Sequence, residues 1–243
     1  MRFKDKVIIV TGAGQGIGEG YARALAAEGA CVVVAELNEE QGQRVAKEIG
    51  DALFVRTDVA DPTSAEALSD TVMREFGRID HLVNNAAIFH GMRREGIVTV
   101  DYDYLDRFVK VNLLGALHVT RAALPHLKEG AAVVNQSSTA AWQATGFYGL
   151  AKAGINHLTA SLAAELGPRG IRVNAIAPGP TDTEAARSII PEEHRTAMVQ
   201  SFALKRMGTA TDQAGALKFL LSDEAAWVTG QIIAVDGGSV VRL

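Results

Sequence analysis

Tyr148 and Lys152 stand four residues apart in the segment Phe147-Tyr148-Gly149-Leu150-Ala151-Lys152. In a helix that spacing puts both side chains on one face, with the ammonium beneath the phenol. A phenol near its ordinary pKa of about 10 is a poor proton acceptor at neutral pH, and lowering it by roughly three units requires about 4 kcal/mol of selective stabilisation of the phenolate. An adjacent lysine, helped by a cationic cofactor ring, can supply it. A Tyr/Lys pair at helical spacing is by itself common on protein surfaces, so its meaning rests on its neighbours. Ten residues before the tyrosine lies a serine pair, Ser137-Ser138. Other chemistries find little support. The six histidines, at 81, 90, 118, 126, 157 and 194, form no H-x-x-x-H pair and have no companion cysteines, so no metal site is expected. The serine pair in Asn135-Gln136-Ser137-Ser138-Thr139 lacks the G-x-S-x-G elbow of a hydrolase nucleophile.

A second constellation lies near the N-terminus. The apolar run at 7–10 passes through Thr11-Gly12-Ala13-Gly14-Gln15-Gly16-Ile17-Gly18 into a helical pattern containing Tyr21 and Leu25. Glycines allow a sharp turn there and let backbone N–H groups approach a pyrophosphate at a helix N-terminus. The spacing is G-x-x-x-G-x-G in place of the strict G-x-G-x-x-G, so its strand-to-helix context carries the reading. A second strand-like run ends at Ala35-Glu36, and Glu36 lies 36 − 18 = 18 residues past Gly18, close to the roughly 20 expected of an acid that accepts from the adenosine ribose hydroxyls. Its carboxylate would repel a 2′-phosphate. Residues 37 and 15 are Leu and Gln, so neither offers an arginine to neutralise one, and NAD is expected over NADP.

Short β-branched runs at 7–10, 31–35, 52–55, 81–83, 131–135, 171–176 and 232–235 position these groups, with helical stretches between them. That alternation predicts an α/β fold, a doubly wound parallel sheet of about seven strands with helices on both faces. Asp61-Pro62 starts one helix at an N1 proline, and Gly29, Gly50, Gly77 and Gly167 follow helical stretches as C′ glycines would. No linker interrupts the pattern, so residues 1–243 read as a single domain, with 183–209 a polar, helical insertion after Pro178-Gly179-Pro180. At 48% hydrophobic the chain can bury a large core. Its 24 Lys+Arg against 28 Asp+Glu give a net charge of −4, and the dispersed basic residues argue against nucleic acid as a partner. The four apolar residues at 7–10 are too few for a signal segment or a membrane span, and the lone Cys31 suits a reducing cytoplasm.

Together these residues resemble the short-chain dehydrogenase/reductases of the Tyr-x-x-x-Lys type, through Thr11-Gly12-x-x-x-Gly16-x-Gly18, Asp58-Val59, Asn84-Asn85-Ala86, Asn112, Ser137-Ser138, Tyr148-x-x-x-Lys152 and Pro178-Gly179. The resemblance covers nearly the whole chain and implies a single-domain Rossmann fold. It makes Tyr148 the general acid/base, Lys152 the group that lowers its pKa and binds the nicotinamide ribose, and Ser138 the holder of the substrate oxygen. Asn112 would complete the catalytic set, its backbone carbonyl anchoring a water that leads to the lysine, although an amide inside a helix can equally satisfy a neighbouring backbone group. Gly12, Gln15, Gly16, Ile17 and Gly18 would form the cofactor turn. Asp58 and Val59 would flank the adenine, and Asn85 and Ala86 would lie beneath the adenosine ribose. Pro178, Gly179, Thr181 and Thr183 would form the loop that meets the nicotinamide carboxamide.

Two departures stand out. Ala87 replaces the glycine usual after Asn-Asn-Ala, and the interval from Ser138 to Tyr148 is shorter than the family's, which leaves Ser137 as an alternative active-site serine. The expected activity is NAD-dependent interconversion of a secondary alcohol, or cis-diol, and a ketone. One alternative is a 3-oxoacyl-carrier-protein reductase, for whose acidic carrier Arg93, Arg94 and Lys128 would be the basic patch. Another is a dinucleotide-binding sensor or scaffold without turnover. By analogy with the family a homotetramer, or a homodimer, is expected. Specificity would reside in 90–100, 139–147 and 183–206, where Phe89, Met92, Trp142 and Phe147 are candidates to line an apolar substrate pocket.

Overall fold

The computed structural model describes residues 1–50, 52–189 and 191–241. Seven strands among them form one parallel sheet: β1 (Val7–Thr11), β2 (Cys31–Glu36), β3 (Leu53–Arg56), β4 (His81–Asn84), β5 (Ala132–Gln136), β6 (Arg172–Pro178) and β7 (Ile232–Val235). Their order is β3-β2-β1-β4-β5-β6-β7. The polypeptide thus leaves β1 toward one edge and returns to β1's other side with β4, which opens a crevice at the carboxyl ends of the strands. The strands are almost continuous apolar runs because both faces are covered. Val7, Ile9, Val33, Leu82 and Val133 face one core, while Ile8, Val10, Val32, Val34, Val83 and Val134 face the other.

Helices α1 (Gly16–Ala26), α2 (Glu39–Ile49) and α9 (Ala210–Leu221) cover the second face, contributing Tyr21, Leu25, Val45 and Leu217. Helices α3 (Pro62–Phe76), α5 (Gly115–Ala123) and α6 (Gly146–Leu166) cover the first, contributing Leu68, Val72, Val119 and Leu162. Between α4 (Tyr102–Val109) and α5 the helix does not break but widens into a π turn over Lys110–Leu114. Asp61 caps α3 ahead of Pro62 as expected, its side chain accepting from the Thr63 N–H.

The strand limits differ from the sequence expectation mainly by extension at the carboxyl ends. Asn84, Gln136 and Pro178 are polar or imino residues that interrupt the apolar runs, yet each still pairs in the sheet, with Asn135, Ile176 and Val235 respectively. Gly29, Gly50 and Gly77 take the positive φ expected after helices. Gly167 does not: at φ −52 it continues into a 3-10 turn over Gly167–Arg169, and Gly170, at φ 70, makes the left-handed exit instead. Pro168 explains the shift, since its missing N–H is tolerated in the first turn of a new helical segment. The 183–209 segment is helical as expected, with α7 (Glu184–Ile189) and α8 (Glu192–Ser201), and a Thr181–Gly208 bridge closes its base. None of the helices of the described residues is long and apolar enough to cross a membrane.

Ile9, wholly buried at the centre of β1, packs where both neighbouring strands and the helices of one face meet. Ile9→Ala is expected to destabilise the protein by about 2–5 kcal/mol. The check is urea denaturation, read as a lower midpoint at unchanged slope.

Candidate active site

The glycine turn brings three backbone segments closer than side chains would allow. Gly12 and Gly16 have φ of 63 and 59. A Cβ on Gly18 would lie 2.1 Å from the Gly12 carbonyl oxygen, and one on Gly12 would lie 2.7 Å from the Ala86 Cα. The Asn85 amide fixes this approach from β4, donating from Nδ2 to the carbonyls of Thr11 (2.9 Å) and Gly12 (3.0 Å). Thr11 Oγ1 in turn accepts from the N–H groups of Asn85 and Ala86, at 3.0 and 3.1 Å. Gln15, at the N-cap of α1, makes no side-chain cap bond, so the first-turn N–H groups of α1 keep no side-chain acceptor there. A close-packed glycine cradle ending in an open helix N-terminus fits the pyrophosphate of a dinucleotide.

Glu36, at the end of β2, is held as an acceptor. Its Oε2 takes the Gly14 N–H at 3.1 Å, and its Oε1 takes those of Leu37 (2.8 Å) and Asn38 (3.0 Å). Gly14 has no room for more, since a Cβ there would lie 2.8 Å from the Glu36 Cγ. A carboxylate locked in this way sits against the turn, where a ribose would present its hydroxyls. The nearby Arg44 is occupied by Glu19, Glu48 and the Gly14 carbonyl. At the end of β3, Asp58 accepts from Ala60 N–H (3.0 Å) and from Arg107 of α4, at 3.2 and 3.0 Å to its two oxygens. Val59 is buried beside it, close enough to α5 that a Cβ on Gly115 would lie 2.7 Å from its side chain. Ala87 needs no glycine conformation, because Asp5 is the only non-glycine residue with positive φ among the described residues, and its methyl group is exposed.

At the ends of β5 and α6 the two serines separate. Ser137 is buried and turned toward α6, donating to Asn156 Oδ1 at 2.5 Å. Ser138 accepts from the Ala140 N–H at 3.1 Å, which leaves its own proton for the Tyr148 phenol, whose pKa it draws down. The shortened connection is closed by a 3-10 turn over Thr139–Trp142, capped by Ser138 itself and latched by Thr145 Oγ1 on the Ala140 carbonyl (3.1 Å). Fewer residues therefore still deliver Ser138 to Tyr148.

Lys152 is 2% exposed, its Nζ 6.0 Å from the Tyr148 ring centroid and 2.8 Å from the Gln136 carbonyl oxygen, to which it donates. The expected lowering of the phenol is not met in this state. Burial raises Tyr148 above its ordinary pKa, and only the Ser138 hydrogen bond pulls it back. Burial also pulls the Lys152 ammonium down to about 8. The reason is geometric: the ammonium is aimed at a backbone carbonyl, away from the phenol oxygen.

Asn112 occupies the π turn, and its side chain pairs with the backbone of Ile88, accepting from N–H at 2.6 Å and donating to the carbonyl at 3.1 Å. The amide thus does satisfy a neighbouring backbone group. The π turn also interrupts the regular carbonyl ladder at this residue. Asn112, Lys152, Gln136, Thr11 and Asn84 line a water-sized cavity. Asn84 Oδ1 is buried with no hydrogen-bond partner among the described residues, and a polar space of this kind has room for about one water.

Phe89 lies against Tyr148, with ring centroids 5.5 Å apart, and Met92 packs on the cluster of Val100, Phe108, Phe147 and Ala151. Phe147 is core: it is 3% exposed and stacks edge-on against Phe108 at 4.8 Å. On the loop after β6, Thr181 is buried, with Oγ1 bonded to the Gly179 carbonyl, and Thr183 Oγ1 caps α7 by accepting from the Ala186 N–H. The basic patch is not assembled. Lys128 lies at the amino end of the sheet beside Lys6, Arg78 and His81, opposite the glycine turn, and Arg93 is stacked on Tyr104.

The family model described as enoyl-(acyl carrier protein) reductase matches residues 12–240. An uncharacterised oxidoreductase of Mycobacterium tuberculosis is 54% identical over 246 residues, covering 99% of each chain. A 7alpha-hydroxysteroid dehydrogenase of Bacteroides fragilis is 34% identical over 250 residues, covering 99% of this chain and 96% of its own. Among solved structures, a short-chain dehydrogenase from Burkholderia cenocepacia in complex with NADP superposes with a TM-score of 0.89 at 33% identity, covering 98% of this chain and 99% of that one. The chain belongs to the short-chain dehydrogenase/reductase family.

In this dehydrogenase/reductase several groups around the site were not singled out by sequence reasoning. Thr11 organises Asn85 and Ala86, Gln136 holds Lys152, and Arg107 holds Asp58. Only Thr11 lay in a motif, Thr11-Gly12-x-x-x-Gly16-x-Gly18, and there it was given no role of its own.

The buried lysine gives a pH-dependent stability. Its folded-state pKa, about 8, is below the roughly 10.4 of an unfolded lysine. Between those values the unfolded chain binds more protons, so stability rises with pH through that window, by up to about 3 kcal/mol. Below pH 8 the charged form is retained against burial. Relative to Lys152→Met, the cofactor-free wild type is expected to gain stability from pH 7 to pH 10, measured by urea unfolding of both proteins. A constant difference would mean that the ammonium is not buried.

Proposed function

We propose that the protein is an NAD(H)-dependent oxidoreductase that interconverts a secondary alcohol, or cis-diol, and a ketone, with Tyr148 as general acid/base. The observation that carries this reading is the phenol of Tyr148 placed where the Ser138 hydroxyl draws its pKa down, with the buried Lys152 one helical turn away in α6. A bound nicotinamide supplies the hydride acceptor or donor. Gly12, Gln15, Gly16, Ile17 and Gly18 would hold its pyrophosphate, Glu36 the adenosine ribose, and Asp58, Val59, Asn85 and Ala86 the adenosine. Pro178, Gly179, Thr181 and Thr183 would border the nicotinamide. Ser138 would turn its proton from the phenol to the substrate oxygen, and Tyr148 would take the carbinol proton during oxidation or return it during reduction. A phenol raised by burial needs help to do this near neutrality. The groups placed to give it are the Ser138 hydroxyl and the Lys152 ammonium, which exchanges the Gln136 carbonyl for the ribose. Asn112 positions the segment around the cavity behind Lys152.

Phe89, lying against Tyr148, suits an apolar substrate body, and the similarity to a 7alpha-hydroxysteroid dehydrogenase supports a bulky cyclic alcohol as the class to try first. The carrier-protein alternative is weakened by the position of Lys128. The lone Cys31 supports a cytoplasmic reading, and family analogy supports a homotetramer or homodimer, which light scattering tests. A screen of secondary alcohols, hydroxysteroids included, with both nicotinamides tests the activity through absorbance of the reduced cofactor. Intact dinucleotide binding without turnover on any of them would favour a sensor.

Tyr148→Phe is expected to lower kcat by at least about 100-fold, the lower range of general acid/base contributions, while dinucleotide affinity stays within a few-fold. A variant turning over normally would remove Tyr148 from the chemistry. The NAD preference rests on Glu36 and on the absence of a free arginine beside it. Replacing Glu36 with Ala and Leu37 with Arg is expected to shift the ratio of kcat/KM for NADP over NAD upward by about 10-fold or more, the worth of one charge-assisted hydrogen bond. A wild type that already prefers NADPH in steady-state kinetics would overturn the assignment.

A further inference from the structure

Asp58 and Glu36, the two acids at the ends of β3 and β2, are held differently. Glu36 is fixed by three backbone N–H groups, whereas Asp58 takes a single backbone N–H, from Ala60, and both its oxygens face Arg107 Nη2 at 3.2 and 3.0 Å. A carboxylate has about four acceptor positions, so the three bonds at Asp58 leave one free. Arg107 comes from the last turn of α4, 49 residues away in sequence. The helix is anchored near the same place by the close contact of Gly115 with Val59 and by His118 Nδ1, 3.0 Å from the Val59 carbonyl oxygen. As a bare surface ion pair this contact would contribute little to stability. Its position gives it a different use. A carboxylate beside an adenine can be satisfied only by a donor, and the donor on that ring edge is the exocyclic amino group.

We propose that Arg107 is a cofactor-positioning residue: its guanidinium spans the two oxygens of Asp58 and holds the remaining acceptor position toward the adenine amino group, making the enzyme selective for an aminopurine dinucleotide. The inference rests on the reading of Asp58 as an adenine-end residue. Arg107 keeps Asp58 oriented, and it acts on the cofactor only through that carboxylate. The same helix carries Phe108, whose ring lies 6.5 Å from that of Tyr148, so one rigid element sets both the adenine contact and part of the wall behind the catalytic phenol.

The test compares NAD+ with nicotinamide hypoxanthine dinucleotide, which places a carbonyl oxygen where the amino group stood. Dissociation constants come from calorimetric titration, and KM from steady-state kinetics. The wild type is expected to bind NAD+ about 10-fold tighter than the analogue, the worth of a hydrogen bond to a charged group. Arg107→Gln should reduce that ratio to within about 2-fold, mainly by weakening NAD+, and Arg107→Lys should restore part of it. Asp58→Asn, whose amide can donate to the carbonyl, should reverse the preference. Circular dichroism and thermal melts confirm that each variant is folded. A wild type that does not discriminate would remove Asp58 from the adenine site and with it the premise. A wild type that discriminates, together with a folded Arg107→Gln that discriminates equally, would overturn the role of Arg107 alone.

Discussion

The site depends on the seam between the ends of β1 and β4. Parallel pairing of these two strands brings Thr11 against Asn85 and Ala86, and one hydroxyl then accepts two consecutive backbone N–H groups. The Asn85 amide answers from the other side by taking up the carbonyls of Thr11 and Gly12. These bonds fix the height of the glycine turn, and that turn allows Gly18 to approach Gly12 more closely than any side chain would permit. The crevice at the topological switch point is thus held open by hydrogen bonds that are internal to the crevice floor. Its lip, α7 and α8, is held by ion pairs such as Asp182 with Arg187, which are exposed and correspondingly weak.

Burial acts on the central pair in one direction. It raises the phenol of Tyr148 and lowers the ammonium of Lys152, so each group alone is driven toward its neutral form. A phenolate–ammonium pair would be stabilised mutually, but the Lys152 Nζ is bound to the Gln136 carbonyl. The same Gln136 accepts through its side chain from the hydroxyl of the wholly buried Tyr21 of α1. The end of β5 therefore ties the glycine-turn helix to the lysine.

How much of this was legible in sequence varied with the physical kind of signal. The seven strands and their order of burial followed from apolar runs, because a sheet covered on both faces requires them. Glu36 was legible because its spacing from Gly18 is set by the length of one helix and one strand. The choice between Ser137 and Ser138 was not, since adjacent strand residues point to opposite faces and a changed loop length hides which faces the tyrosine. The exit glycine after α6 was misplaced at Gly167 because Pro168 permits a further turn. Arg107, Gln136 and Asn84 act through contacts made by distant segments, and no local pattern carries such information. The π turn at Asn112 was equally hidden, since its apolar surroundings match an ordinary helix.

The two acids at the adenosine end show why equivalent chemistry can be tuned unequally. Glu36 is held by N–H groups of its own turn and of Gly14, so its position is built into the fold and changes only if the glycine turn changes. Asp58 is held in part by a long, half-exposed side chain from another element. A guanidinium there is free to be replaced without disturbing the sheet, whereas no substitution removes a backbone amide. On the proposed reading, selection at the ribose would accordingly be rigid, and selection at the base adjustable through a single residue of α4. Because α4 continues through the π turn into the helix beneath Val59, an adjustment at the base also reaches Phe108 and the wall against which Tyr148 packs.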